Sequence, residues 1–136
     1  MSAIALGFVS IVNSQGHTEI VRYDQFVQQL FRADVAPMMT SHAITGICEE
    51  AGEVAGVIKQ HLHYRKSVTK EGLPIKQALL EELGDLRWYI QALMQMYDLN
   101  EQDILQHNAN KLAVRYVNLR YSDEEAAARA DKTLGE

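Results

Sequence analysis

The chain has 136 residues, 47% of them hydrophobic, and a formal net charge of -5 at pH 7. This length suits one domain, and the apolar content excludes a chain too polar to form a core. The negative charge argues against general binding to nucleic-acid backbones, so no nucleic-acid polymer is expected as a partner. The single cysteine, Cys48, excludes an intramolecular disulfide and a multi-cysteine zinc site.

The N-terminal region has the least regular pattern. Its apolar stretch has no basic flank and is too short to cross a membrane, so we expect no membrane partner and a cytoplasmic location. Asn13–Gly16 fits a turn. The apolar residues before it fit a short strand or a segment that covers the core: Ile4, Leu6, Phe8 and Val12. We interpret residues 1–136 as a single domain in which the structure of residues 1–17 stays open.

From about Thr18 onward, apolar residues recur at helical spacing. The first predicted helix ends near Pro37, and the second runs from Ser41, as its N-cap, to about His63. The second helix is expected to face the core with one apolar stripe: Ile44, Ile47, Ala51, Val54, Ile58 and Leu62.

Three further helices are predicted towards the C terminus. Pro74 suits the first turn of the third, Asn100 caps the fourth, and Ser122 with Glu125 has the form of a capping box that opens a short last helix. The expected core residues are Leu79, Leu83, Leu86, Ile90, Leu93 and Tyr97 on the third helix and Leu105, Leu112 and Tyr116 on the fourth. Four main helices joined by short loops predict an all-α, four-helix-bundle-like fold.

Two acidic clusters stand on the second and third predicted helices. The second helix carries Glu49-Glu50-x-x-Glu53, and the third carries Glu81-Glu82-x-x-Asp85. Residues three apart share a helix face, which pairs Glu50 with Glu53 and Glu82 with Asp85. Such faces are most often simply solvated. Here both pairs continue into apolar residues, which predicts partial burial: Val57 on the second helix, and Tyr89, Ala92 and Met96 on the third.

Partly buried carboxylates favour a bound cation, because uncompensated buried charge is very unfavourable. Mg²⁺ or Mn²⁺ fits this set, since a hard ion prefers oxygen ligands and shares them with substrate phosphates. Two such helices could hold two or more ions, which would neutralise a polyphosphate and activate a water molecule. Zinc and di-iron are disfavoured, because no histidine stands at ligand spacing beside these acids.

A polar and basic stripe follows on the fourth predicted helix. Asn108, Lys111 and Arg115 fall within a narrow arc, where amide and cationic groups could grip phosphate oxygens. A solvated helix face would show the same residues. Together with two carboxylate pairs, however, the stripe favours metal–polyphosphate chemistry.

Trp88 lies away from the leucine face of the third helix, near Asp85. It is therefore expected to be largely exposed in a monomer. An exposed tryptophan often marks an interface, so we interpret Trp88 first as a subunit contact and second as a platform for a nucleobase.

Three stretches, taken in order, carry a more specific pattern. They are ICEEAGEVAGVIK (Ile47–Lys59), LEELGDLRWYI (Leu80–Ile90) and NANKLAVRY (Asn108–Tyr116). Together they resemble the signature of the MazG-like, all-α nucleoside triphosphate pyrophosphohydrolase superfamily. The ending YSDEEAAARADK (Tyr121–Lys132) is similar to that of its compact single-domain members, which include viral ones.

The resemblance implies a helical homodimer or homotetramer with active sites at the subunit interface. It places two or three Mg²⁺ or Mn²⁺ ions on Glu50, Glu53, Glu82 and Asp85, and it gives Glu49 the task of orienting or activating the water. Asn108, Lys111 and Arg115 match phosphate-holding positions, to which Lys59 could add a contact. Trp88 and Tyr116 are expected to contact the base or the interface.

The predicted reaction is metal-dependent hydrolysis of a nucleoside or deoxynucleoside triphosphate to the monophosphate and pyrophosphate. Its expected role is control of a nucleotide pool, with a purine such as dGTP favoured, in the host cytoplasm if the protein is viral. Two alternatives stay open. One is hydrolysis of phosphoribosyl-ATP, and the other is a non-catalytic helical dimer that binds cations or a basic partner.

Overall fold

The computed structural model describes residues 7–31 and 36–132 of the chain. Its elements are strands β1 (Phe8–Val12) and β2 (Thr18–Arg22), helices α1 (Tyr23–Leu30), α2 (Ala36–Leu62), α3 (Ile75–Met96), α4 (Glu101–Arg115) and α5 (Asp123–Ala128), and a 3₁₀ turn (Ala130–Lys132). They divide into two compact units, Met1–Tyr97 and Asp98–Glu136. The mostly helical fold is confirmed, but the prediction of an all-α chain is wrong, because β1 and β2 pair.

The turn between β1 and β2 is stabilised by hydrogen bonds to the side chain of Asn13. The Asn13 carboxamide oxygen accepts hydrogen bonds from the backbone N–H groups of Gln15 and His17, both at 3.0 Å. Gly16 supplies the left-handed backbone with a φ of 81°. The predicted turn is therefore confirmed, as is a strand through Phe8 and Val12. Ile4 and Leu6 lie outside the described residues.

The prediction of a helix from Thr18 is wrong. Residues Thr18–Arg22 form β2, antiparallel to β1, with Val21 opposite Val9 and Ile20 opposite Ser10. The β-branched residues Thr18, Ile20 and Val21 suit a strand, and the tight turn brings β1 close enough to pair with them. Helix α1 begins only at Tyr23.

The core of the first unit joins three helices. Val27 of α1 is fully buried against Ala43 of α2 and Ala92 of α3, with Phe31 beside them. Half-buried Met96 packs on the same cluster from the end of α3. Because Ala43 and Ala92 have short side chains, α1 can approach α2 and α3 closely and bury Val27 between them.

Helices α2 and α3 run antiparallel along their length. The hydroxyl of Thr40 contacts the Met96 sulfur at 3.9 Å near one end, Gly46 faces the Tyr89 ring, and Val57 packs on Ala78 near the other end. Helix α2 starts at Ala36, so Ser41 is not its N-cap, and Pro37 does not end the preceding helix. Pro37 instead stands in the first turn of α2, where its missing N–H has no partner to lose.

The predicted core stripe of α2 is wrong for four of its six residues, since only Ile47 and Val54 are half-buried. Ala43, Gly46 and Val57 are buried against α3, whereas Ile44, Ala51, Ile58 and Leu62 are exposed. On α3 the leucine face is likewise incomplete, since Leu83 and Tyr97 are exposed. A helix with one main neighbour buries only a single stripe of residues. Two faces of α2 contain apolar residues, and the face with the smaller side chains is buried because it allows α3 to approach more closely.

The second unit contains α4, α5 and the 3₁₀ turn. Asn100 caps α4 as predicted, its side-chain oxygen accepting the Asp103 N–H at 2.9 Å. Ser122 caps α5 by accepting the Glu125 N–H at 3.2 Å. On α4, Leu112 and Tyr116 are half-buried while Leu105 is exposed. A single four-helix bundle that includes α4 stays a prediction. Among the described residues, no helix is long and apolar enough to cross a membrane.

Candidate metal centre

The acidic residues stand on the faces through which α2 and α3 contact each other. Glu50 follows Gly46 by four residues, and Asp85 precedes Tyr89 by four, so both lie one turn from the Gly46–Tyr89 contact. Towards the other end, Val57 of α2 packs against Ala78 of α3. The carboxylates are thus held between two apolar contacts of an antiparallel helix pair.

Three of the predicted ligands come together. Glu50, Glu53 and Glu82 each offer a carboxylate oxygen, and these oxygens all lie within 4.8 Å of one another. Glu50 and Glu82 are half-buried and Glu53 is exposed. The fourth predicted ligand, Asp85, is exposed, and its charge acts on both Glu50 and Glu82. Carboxylates on two different helices, with Glu82 lying 29 residues after Glu53, therefore form one acidic site.

The electrostatics of the site are unfavourable without a counter-charge. Burial, followed by the negative charges of Asp85, Glu53 and Glu49, raises the pKa of Glu50. Burial, followed by the charges of Glu53 and Glu50, raises the pKa of Glu82, and a hydrogen bond with Glu53 acts in the same direction. A bound cation would reverse each of these effects, because it favours the ionised carboxylates.

An aromatic cluster adjoins the carboxylates and corrects one prediction. Trp88 is half-buried rather than exposed, with its ring centroid 5.2 Å from that of Phe31 and 4.9 Å from that of Tyr89. Phe31 follows the end of α1, and its packing on α3 could not be inferred from the helical spacing of α3 alone. Burial and the nearby charges of Glu50, Glu49 and Asp85 raise the pKa of Tyr89.

The predicted phosphate-binding residues of α4 share one face, but they differ in their surroundings. Asn108 is exposed and Lys111 is half-buried. Arg115 makes two hydrogen bonds to Asp131, from Nε to Oδ1 at 2.7 Å and from Nη2 to Oδ2 at 2.9 Å. Sequence reasoning missed Asp131, because it lies sixteen residues from Arg115 and no local pattern links the two.

Lys59 is not brought to the carboxylates. Its ammonium group lies over the Tyr64 ring, 5.8 Å from the centroid. Lys59 is nine residues from Glu50, which places it about 180° around α2 from that carboxylate. The predicted contribution of Lys59 to phosphate binding therefore has no support from its position within this chain.

Carboxylates from two packed helices define a candidate site for a hard divalent cation in a mostly helical protein. Comparison with known proteins makes the class more specific. Residues 40–119, more than half of the chain, match the MazG nucleotide pyrophosphohydrolase domain. The chain therefore belongs to this family, as its three sequence stretches predict. The match contains the acidic residues of α2 and α3 and the whole of α4.

One relative comes from a bacteriophage. The Gene 37 protein of Mycobacterium phage L5 is 37% identical over 76 residues, which cover 55% of this chain and 64% of that protein. The match thus spans less than two thirds of the relative. No solved structure matches this chain at a significant level.

Proposed function

We propose that this chain hydrolyses a nucleoside or deoxynucleoside triphosphate to the monophosphate and pyrophosphate, with Mg²⁺ or Mn²⁺ as the cofactor. One observation carries the proposal: Glu50, Glu53 and Glu82 converge from two helices to within 4.8 Å in a member of the MazG nucleotide pyrophosphohydrolase family. Repelling carboxylates at this spacing are stabilised by a cation, and a cation is what a polyphosphate substrate also needs.

The chemistry of the site fits such an ion, because the converging donors are all carboxylate oxygens. Glu50, Glu53 and Glu82 would hold the metal, with Asp85 as the fourth ligand, and we propose two or three ions per site. When bound, the metal would neutralise phosphate charge and lower the pKa of a water molecule. Glu49, next to Glu50, would orient that water and accept its proton.

In the proposed reaction, water attacks the α-phosphorus. A bond forms between the water oxygen and phosphorus while the bond to the oxygen bridging the α- and β-phosphates breaks, and pyrophosphate leaves with the bonding electrons. Asn108, Lys111 and Arg115 of α4 would hold the phosphate oxygens. Trp88 and Tyr116 would contact the base or the subunit interface. We omit Lys59 from this set because it lies on the opposite side of α2 from Glu50.

We further propose that the protein acts as a homodimer or homotetramer. The support is an exposed apolar seam on α2, in which residues recur alternately four and three positions apart: Ile44, Cys48, Ala51, Ala55, Ile58 and Leu62. This spacing is that of a helix that packs against another helix along its length. A second copy of the chain would supply that helix.

The proposed role is control of a nucleotide pool in the cytoplasm, with a purine such as dGTP as the favoured substrate. The phage relative supports a viral setting, for which we propose control of a deoxynucleotide pool. We propose that residues 1–136 form a single domain.

The test is a substrate panel. Purified protein with Mg²⁺ or Mn²⁺ is incubated with each of the eight common ribo- and deoxynucleoside triphosphates, and pyrophosphate and orthophosphate are measured separately. Pyrophosphate released with an equal amount of monophosphate supports the proposal and identifies the base. Orthophosphate as the first product contradicts it.

The matched variants are Glu53→Gln and Glu81→Gln. Glu81 is exposed on α3 beside Glu82, but it makes a hydrogen bond with Gln77 instead of joining the carboxylate cluster. We expect Glu53→Gln to lower kcat/KM by about a thousandfold or more, because one charged ligand is lost, and Glu81→Gln to stay within about threefold of the wild type. An active Glu53→Gln would refute the metal assignment.

A folded protein that releases no pyrophosphate from the panel would favour one of two other functions. Complementation of a histidine auxotroph tests hydrolysis of phosphoribosyl-ATP. If that also fails while divalent cations still bind, a non-catalytic helical dimer is the better description.

A further inference from the structure

The guanidinium of Arg115 is held by a carboxylate from the far end of the second unit. The Nε and Nη2 atoms of Arg115 donate to the two oxygens of Asp131 in a two-bond, parallel arrangement. This pair uses two of the five N–H groups of the guanidinium. Three N–H groups remain, one of which can serve the hydrogen bond between the guanidinium and the Tyr116 side chain.

The pair is built into the unit rather than formed on its surface. The Asp131 side chain is 1% exposed and that of Arg115 is 18% exposed. Asp131 reaches α4 because the chain reverses after α5 at Arg129, which has a left-handed backbone with a φ of 48°. A non-glycine residue in this conformation is strained, so the fold sustains a local cost at the turn that places Asp131.

We propose that Asp131 is a positioning residue, which fixes the orientation in which the other N–H groups of Arg115 bind the substrate phosphates. This inference rests on the proposed function, in which Arg115 holds phosphate. Asp131 lies beyond residues 40–119 and outside the three sequence stretches. It does lie within the ending Tyr121–Lys132, but that resemblance gives it no role. The 3₁₀ turn Ala130–Lys132 would then support the phosphate-binding site through Asp131.

Electrostatics and positioning predict opposite results when the charge of Asp131 is removed. Loss of a negative charge beside Arg115 would by itself strengthen the binding of an anion. Loss of the two-bond anchor lets the long Arg115 side chain move, which weakens binding through lost preorganisation. Asp131→Asn separates the two, because asparagine keeps the shape and one acceptor oxygen but not the charge.

The experiment compares the wild type with Asp131→Asn, using inorganic tripolyphosphate as the probe. Calorimetry gives its Kd, and the Arg115 Nε–H signal in ¹⁵N NMR spectra, assigned with Arg115→Lys, reports on the guanidinium itself. For the triphosphate that the substrate panel identifies, steady-state kinetics give KM and kcat separately. The control is Asp123→Asn, an exposed aspartate in the first turn of α5.

We expect Asp131→Asn to weaken tripolyphosphate binding and to raise KM, each by about tenfold, with a smaller effect on kcat. Combining it with Arg115→Lys should add little to the effect of Arg115→Lys alone, because both act through one group. Asp123→Asn should stay within about twofold of the wild type.

Two results would overturn the inference. One is unchanged or tighter tripolyphosphate binding in Asp131→Asn, even if its Tm is lower. The other is an Arg115 signal that does not respond to tripolyphosphate in the wild type. The proposed function is tested separately by turnover. The wild type could hydrolyse no triphosphate and yet bind tripolyphosphate more tightly than Asp131→Asn does. In that case the positioning role of Asp131 would be retained and the proposed reaction would be refuted.

Discussion

At Gly46 the backbone of α2 comes so close to α3 that a Cβ atom there would overlap the Tyr89 ring. Tyr89 cannot easily turn aside, since it packs edge-on against Trp88 and His42. The contact lies one helical turn from Glu50 and Asp85, so it helps to set the separation of the two acidic faces. A residue without a side chain therefore contributes to the geometry of the candidate metal centre.

We expect Gly46→Ala to lower the free energy of unfolding by about 2 kcal/mol, because the added methyl group overpacks a contact with an aromatic ring. Gly52→Ala is the matched control on the same helix. No atom lies within 4 Å of a Cβ built at Gly52, and alanine is favoured over glycine in a helix by up to about 1 kcal/mol. Urea titration followed by circular dichroism measures both. A Gly46→Ala variant as stable as Gly52→Ala would show that α3 can move away without cost.

At the scale of elements, α2 has two faces with different tasks. Ala43, Gly46 and Val57 pack against α3 and hold the acidic residues between them. The other face carries the apolar seam defined above. Ile44 on this seam is 45% exposed and Ile58 is 37% exposed within the single chain.

The seam predicts the behaviour of a double variant, Ile44→Lys with Ile58→Lys. If a second copy covers the seam, burying two lysines at the interface should dissociate the oligomer, because buried unpaired charge is unfavourable. Ile20→Lys is the control, since Ile20 is an apolar residue of β2 with even greater exposure. Light scattering on a gel-filtration column gives the molar mass. A wild type that is monomeric at micromolar concentration would contradict the proposed assembly.

At the scale of the whole molecule, the charge distribution couples metal binding to stability. The chain carries a net charge of -5, and three of its carboxylates converge within 4.8 Å. The folded chain brings these carboxylates together, whereas the unfolded chain separates them. A divalent cation should therefore bind the folded state preferentially and stabilise it.

We expect Mg²⁺ at a hundred times its Kd to raise the free energy of unfolding by about 2.7 kcal/mol, and the Tm by several degrees. Glu53→Gln should lose most of this increase. Without Mg²⁺, the same variant should melt no lower than the wild type, because it removes a like charge from the cluster. Differential scanning calorimetry at constant ionic strength, balanced with NaCl, checks both results. An equal response of the wild type and Glu53→Gln would mean that the cation acts elsewhere.

Many features of the helices and of the acidic site follow from the sequence alone. The spacing of Glu50 with Glu53 and of Glu82 with Asp85 places each pair on one helix face, because helical geometry is local. The caps at Asn100 and Ser122 are predicted for the same reason. The family is also evident from the sequence, since its three stretches are contiguous runs of residues.

The tertiary structure decided what local rules leave open. The residues of α2 offer two apolar-containing faces, and only the position of α3 determines that Ala43, Gly46 and Val57 are buried while Ile44 is exposed. The strand Thr18–Arg22 depends on β1 as its partner, and the burial of Trp88 depends on Phe31 from another element. Asp131 meets Arg115 only because the chain turns back after α5. Each of these outcomes depends on contacts between residues distant in sequence, and helical periodicity cannot specify which distant surfaces meet.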